Sequence, residues 1–600
     1  MTEKTEKRVT FGRIFWPSLW AALTVSILGL LIWLIIIGSV VSGFEPVGMK
    51  VKDNSVLHIT LNGQIGEKGS TEFDPINFEM KHTVGLTDIL HGLEAAKKDK
   101  KIKGVFIELD NLMCGFATAK EIRDAINDFE SSGKFAVAYN SGELVTHKEY
   151  YIASAASENY GFPSSTVQFL GLGAELAFFK NTLEKLEVEM QVIRGSNNDF
   201  KSAVEPFFRK DMSDSSRLQI ERYINEMWTE FKTEIASDRN LTTEELDRIA
   251  ENALVQNCED AVKYKLMDAT KYRDEIIDIL AKKAKTPSGE ELALFDFSKY
   301  AKKKFFQDQT LKKEDNPNIA VILAEGAVTK SGEGLSSDEI CKLFQDVRAN
   351  KSIKTVVFRI NSPGGSALAS DEIWREVKLT NEKKKVIVSM GDVAASGGYY
   401  IAAPASTIFA QANTITGSIG VFGVIPYTGA MLENKLGITF DRAATNQHAV
   451  LTTNRKLTEA ELSMIQKEVD EIYLQFKERV AEGRGMTVEQ VGVIARGRVW
   501  TGRDAKRIGL VDEIGGLADA LAFAAKEAGI KDQKVLYYPH VKEDKLGEIL
   551  EQLKDEESLD AKVSSSATLP KSMMEYYNQL KRLESFQGMQ MRLPYEIEVN

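Results

Sequence analysis

Three cysteines and six histidines are all that 600 residues contain. Cys114, Cys258 and Cys341 are odd in number, widely spaced and outside any CxxC pattern. That excludes a disulfide framework and a cysteine zinc site. The histidines form no HExxH array, so neither a catalytic metal nor a cofactor is expected. Basic residues gather into no stripe and the net charge is −11, which argues against nucleic acid as a partner. Charged residues make up 27% and apolar residues 43%, an ordinary globular balance, in a chain too long for one domain.

Long apolar runs are also missing, with one exception. From Ile14 to Phe44 no side chain carries a charge, and the stretch includes ALTVSILGLLIWLIIIGSVV. A bilayer needs about 20 apolar residues, whereas a cleavable signal core has only about 7–15. Residues 14–44 therefore read as a transmembrane signal anchor. Lys4, Lys7, Arg8 and Arg13 precede it and should hold residues 1–13 in the cytoplasm. In a bacterium the rest of the chain would then lie at the outer face of the cytoplasmic membrane.

The remainder repeats itself. IKGVFIELDN (102–111) aligns with IKTVVFRINS (353–362), and EYYIASAAS (149–157) with GYYIAAPAS (398–406). TLEKLEVEM (182–190) resembles MLENKLGITF (431–440), and CEDAVKYKLMDA (258–269) resembles GRDAKRIGLVDE (502–513). The order is preserved at an offset near 245–250, which implies a tandem duplication. We read an N-terminal repeat over 46–284, a linker over 285–317, a C-terminal repeat over 318–540 and a tail over 541–600. Short β-branched runs such as Val356–Ile360 and Val386–Ser389 alternate with helical spacing, so each repeat should be α/β with a mostly parallel sheet. Long helices are expected over 462–485 and, in the first repeat, over about 218–240.

The chemistry concentrates in GDVAASGGYY (391–400). Ser396 should sit where a strand turns into a helix, beside free N–H groups that favour negative charge. A second glycine turn, NSPGGSA (361–367), follows the preceding strand. Parallel strands bring both turns to one sheet edge. An isolated ASGG would be a helix cap with packing glycines; the second turn makes Ser396 a nucleophile. Its base is not an obvious histidine, since none occurs between Ser396 and Gln447 and His448 lies in a polar loop. A lysine lowered by burial can serve. Lys201, in NNDFKSAVEPFF, differs from the others in its apolar surroundings, although lysines commonly run past aromatics for packing alone.

INSPGGSALAS, GDVAASGGYYIAA, ANTITGSIGVFG and FKSAVEPF together resemble the signal peptide peptidase A family in its long two-repeat form. These are membrane-anchored serine proteases of the Clp-protease/crotonase-like superfamily, peptidase family S49. The resemblance implies Ser396 as nucleophile, Lys201 as general base and Ser418 as the residue orienting the lysine. It implies an oxyanion hole of backbone N–H groups at Gly364 or Gly365 and at Gly397. It also implies curved parallel sheets, a bowl-shaped homotetramer on the lipid bilayer, and signal peptides and other extended apolar peptides as partners. Two other readings share these motifs: a crotonase-like acyl-CoA enzyme, which would not need Ser396, and a non-enzymatic membrane scaffold.

The duplication fits a single composite site. The first-repeat position matching Ser396 is about His147, without the double glycine, and NLMCGF stands in place of NSPGG. The second-repeat stretch matching Lys201, RAATNQHAVLTTN, has no lysine. Each copy keeps half of the site. The closing QMRLPYEIEVN alternates like a strand, and assembly or a lid over the site would both suit it.

Overall fold

A computed structural model describes residues 51–74, 79–302, 316–332, 334–539 and 590–592. The anchor expected over 14–44, and the tail apart from residues 590–592, lie outside the described residues. Among the described residues no helix is long and apolar enough to cross a membrane.

The two repeats have the same sheet. In the first, six parallel strands run in the order Ala269–Thr270, Glu158–Gly161, Phe135–Asn140, Ile102–Met113, Ser55–Gln64 and Leu294–Asp296. In the second, Glu513–Ile514, Thr407–Ala410, Val386–Ala395, Thr355–Ser362, Ile319–Glu325 and Val535–Tyr538 follow the same order, again parallel. Strands buried on both faces need near-continuous apolar runs, and Thr355–Ser362 has them. Within 285–317, read above as a linker, Leu294–Asp296 is a strand of the first sheet. It is three residues long amid polar sequence, too short to show a period of its own.

The long helices also pair up. Asp214–Arg239 and Glu459–Arg484 each have 26 residues. Ser213 and Thr458 cap their N-termini, and Asn240 and Gly485 end them in the left-handed conformation.

The copies differ after their short helices Lys180–Leu186 and Gly429–Leu436. In the first repeat a strand, Glu189–Arg194, leaves its own sheet and pairs antiparallel with Phe422–Tyr427 of the second. This arm carries Lys201 into the C-terminal repeat. Ala203, Val204 and Phe207 then pack with Phe422 and Val424, which anchors the arm by apolar burial.

Arg359 sits in the middle of the buried strand Thr355–Ser362, and such a charge must find a partner. It finds two, both from the first repeat: Glu67 at 2.8 Å and Glu121 at 2.7 Å. Its guanidinium also donates to Ser389 Oγ and to the Met390 carbonyl. Glu121 in turn accepts from the Leu517 N–H of the second repeat. Burial pushes the Glu121 carboxyl up to about 7, against the pull of Arg359.

Arg359→Met leaves these two carboxylates buried and uncompensated. It should cost about 3–5 kcal/mol at pH 8, measured by denaturant unfolding in detergent. The loss should shrink at pH 5, because the native state then gains protons on carboxyls whose folded pKa has risen. Adding Glu67→Gln and Glu121→Gln should restore most of it. A loss below about 1 kcal/mol at pH 8 would mean that the guanidinium does not join the repeats.

Candidate active site

Strand Val386–Ala395 ends at Ser396 and helix Gly397–Ala402 begins immediately after it. Ser396 bridges the two with φ +56° and ψ −117°, a conformation that a residue with a Cβ avoids. Such strain costs on the order of 1–3 kcal/mol and persists only where neighbours enforce it. Here the Ser396 N–H donates to Gly417 O at 2.8 Å, and its carbonyl accepts from Tyr400 N–H at 2.9 Å. The turn aims the hydroxyl at the incoming arm.

Lys201 Nζ lies 2.8 Å from Ser396 Oγ. It also lies 2.9 Å from both the carbonyl oxygen and the Oγ of Ser418. Ser418 Oγ donates onward to Gly497 O at 3.4 Å. A neutral amine has two N–H groups and one lone pair, and these partners use all three. The two N–H groups donate to Ser418, and the lone pair receives the Ser396 hydroxyl proton. Lys201, Ser396 and Ser418 have no exposed surface. Burial alone holds the Lys201 amine well below its usual range.

Two elements fix the lysine. Gly497, at φ +73°, lets the chain pass where a Cβ would meet Lys201 Cβ at 2.5 Å. Gln219, on helix Asp214–Arg239, accepts from Val499 N–H and donates to Phe200 O and Ser202 Oγ on either side of Lys201. The lysine loop is thus held to the second repeat by polar bonds as well as by apolar packing.

The glycine turns meet as the parallel strands require. Gly364, at φ +92°, and Gly397 are so close that a Cβ on Gly364 would stand 2.5 Å from Gly397 N. The Gly364 N–H is already spent on Ser362 Oγ at 3.2 Å. The Gly365 nitrogen would stand 3.1 Å from a Cβ on Gly397. The Gly397 N–H is in the first turn of its helix, with no acceptor inside that helix. Gly365 and Gly397 are therefore better disposed than Gly364 to hold an oxyanion. Sequence spacing could not separate the two adjacent glycines; the Ser362 bond does.

The equivalent place in the first repeat is filled. His147 begins helix His147–Ala153 and is buried among Phe169, Trp228 and Phe231. Its Nε2 accepts from the Leu170 N–H, and burial pushes it down to about 4. Glu149 caps the same helix and accepts from the Leu112 N–H, the turn that matches the glycine loop. A carboxylate occupies the donor that an oxyanion would need. His448, by contrast, is in a surface loop and 3.7 Å from Glu461.

The lysine should leave a stability signature that is independent of catalysis. Its folded pKa lies below the unfolded 10.5, so folding releases a proton and is opposed as pH falls between the two values. Each unit of depression is worth about 1.4 kcal/mol. Wild type should therefore gain stability relative to Lys201→Met as pH rises toward the unfolded pKa, measured by denaturant unfolding. A difference that does not change with pH would mean that the lysine stays charged when folded.

The sequence pattern of peptidase family S49 matches residues 129–286 and 378–531, once in each repeat. "Serine protease SPPA, chloroplastic" of Arabidopsis thaliana is 33% identical over 490 residues, covering 80% of this chain and 70% of that protein. "Protease 4" of Salmonella typhi is 33% identical over 495 residues, covering 80% and 77%. "Protease 4" of Haemophilus influenzae is 34% identical over 454 residues, covering 73% and 72%. With two copies of the α/β domain and relatives matched along most of their length, this chain belongs to peptidase family S49 and is a serine protease.

Proposed function

We propose that the chain is an endopeptidase with a Ser396–Lys201 dyad that degrades cleaved signal peptides and other extended apolar segments. The observation that carries this is the 2.8 Å contact between a buried, depressed lysine amine and a strained serine hydroxyl. Lys201 takes the proton as Ser396 Oγ attacks the scissile carbonyl, then passes it to the leaving amine. Ser418 holds the lysine's two N–H groups, so its lone pair faces the serine. The Gly365 and Gly397 N–H groups receive the developing negative charge. A water then hydrolyses the acyl-enzyme, with Lys201 again as base.

The substrate class follows from the groove and the anchor. An extended peptide can add a strand beside Gly364–Ser366, which gives affinity through the main chain and leaves apolar pockets to read alternate side chains. The 14–44 anchor would tether the protease to the lipid bilayer, with the catalytic repeats outside the cytoplasmic membrane of a bacterium. A homotetramer with its sites opening inward, the arrangement of the family it resembles, would admit such segments and exclude folded proteins.

The test offers the detergent-solubilised chain a folded globular protein, the same protein unfolded, and a synthetic signal peptide. The peptide and the unfolded protein should be cut, the folded one spared, and Ser396→Ala should lower the rate by a factor on the order of 10⁴ or more. Equal cutting of the folded protein would contradict the enclosed site. Undiminished cutting by Ser396→Ala would remove Ser396 from the chemistry.

A further inference from the structure

Near the end of the chain, Gln590–Arg592 forms a strand inside the sheet that borders the site. It runs antiparallel to Gly364–Ser366, with Gly364 opposite Arg592, Gly365 opposite Met591 and Ser366 opposite Gln590. On its other side Gln590 pairs with Phe422 of the strand that also carries the lysine arm. The segment therefore lies between the glycine turn and the lysine arm, where an added peptide strand would have to lie.

Its placement is that of a substrate rather than of packing alone. The Met591 carbonyl oxygen would stand 2.1 Å from a Cβ on Gly364 and 3.0 Å from a Cβ on Gly397, the residue after the nucleophile. A peptide carbonyl thus sits against the two glycine turns at the point where the oxyanion donors converge. The Met591 side chain has no exposed surface and belongs to the apolar core of the second repeat. That core supplies a pocket which an unbranched, flexible side chain can fill.

We propose that the chain is its own substrate and cuts the Met591–Arg592 bond. The inference rests on the Ser396–Lys201 reading given above. Ser396 Oγ bonds to the Met591 carbonyl carbon and its proton passes to Lys201. The bond to the Arg592 nitrogen breaks, and that nitrogen takes the proton. Water then cleaves the acyl ester and leaves a chain that ends in the Met591 carboxylate. The released peptide is the nine residues 592–600. Until it is cut, the tail competes with every external peptide for the same strand position.

Intact-mass measurement on freshly purified, full-length protein in detergent tests this, with hydrolysis of a synthetic apolar peptide followed in the same samples. Wild type should lose the mass of residues 592–600 and no other, while Ser396→Ala keeps it. Met591→Asp should slow the loss at least about tenfold, because a carboxylate is excluded from the apolar pocket, and should still hydrolyse the external peptide. A wild type that hydrolyses the external peptide but keeps its C-terminus overturns self-cleavage and leaves the protease reading standing. Loss of the tail from Ser396→Ala, or a cut at another bond, also overturns it. A wild type inert toward both peptide and tail overturns the dyad along with it.

Discussion

The contact on which the rest depends is an amine without water. Lys201 has no exposed surface, and its only polar partners at Nζ are two serines. In water it would be protonated and useless as a base; the fold removes the water and leaves no carboxylate to restore the charge. Much of the architecture serves that end. The arm that crosses between repeats, the Gly497 close approach, the Gln219 bonds and the apolar cluster around Val204 each hold one lysine against one strained serine.

Duplication made this possible by giving each half something to lose. Two copies share the same strand order, so each once had an edge where glycine turns could meet. In the first, Glu149 fills the donor site and His147 is sealed among aromatic rings. In the second, no strand follows Gly429–Leu436 to match Glu189–Arg194, so there is no return arm. The halves must therefore stay joined for the site to exist. The Glu67–Arg359–Glu121 cluster is placed to join them, at the energetic cost of burying three charges.

Much of this was legible in the sequence, for physical reasons that differ between residues. The repeats were visible because buried parallel strands keep their β-branched runs, as in IKGVFIELDN and IKTVVFRINS. Ser396 stood out because a strained turn needs glycines beside it in the chain. Lys201 was visible only through its apolar neighbours, since its partner lies 195 residues away. The choice of Gly365 over Gly364 was not legible, because it turns on where a serine hydroxyl points. Arg359 was hidden inside an apolar run, its carboxylates more than 200 residues distant. The 590–592 strand alternates in sequence, but alternation does not say which edge it joins.

The central claim, that Lys201 acts on Ser396 as a neutral base, is tested most directly by the rate at which a fluorophosphonate acylates Ser396 as a function of pH. In wild type the rate should follow the neutral fraction of the lysine, rising with pH and levelling off below the ordinary lysine pKa of about 10.4. In Lys201→Met, which keeps the chain apolar and supplies no base, acylation should fall by a factor on the order of 10³ or more and lose that titration. Equal acylation of the two proteins across the pH range would contradict the account.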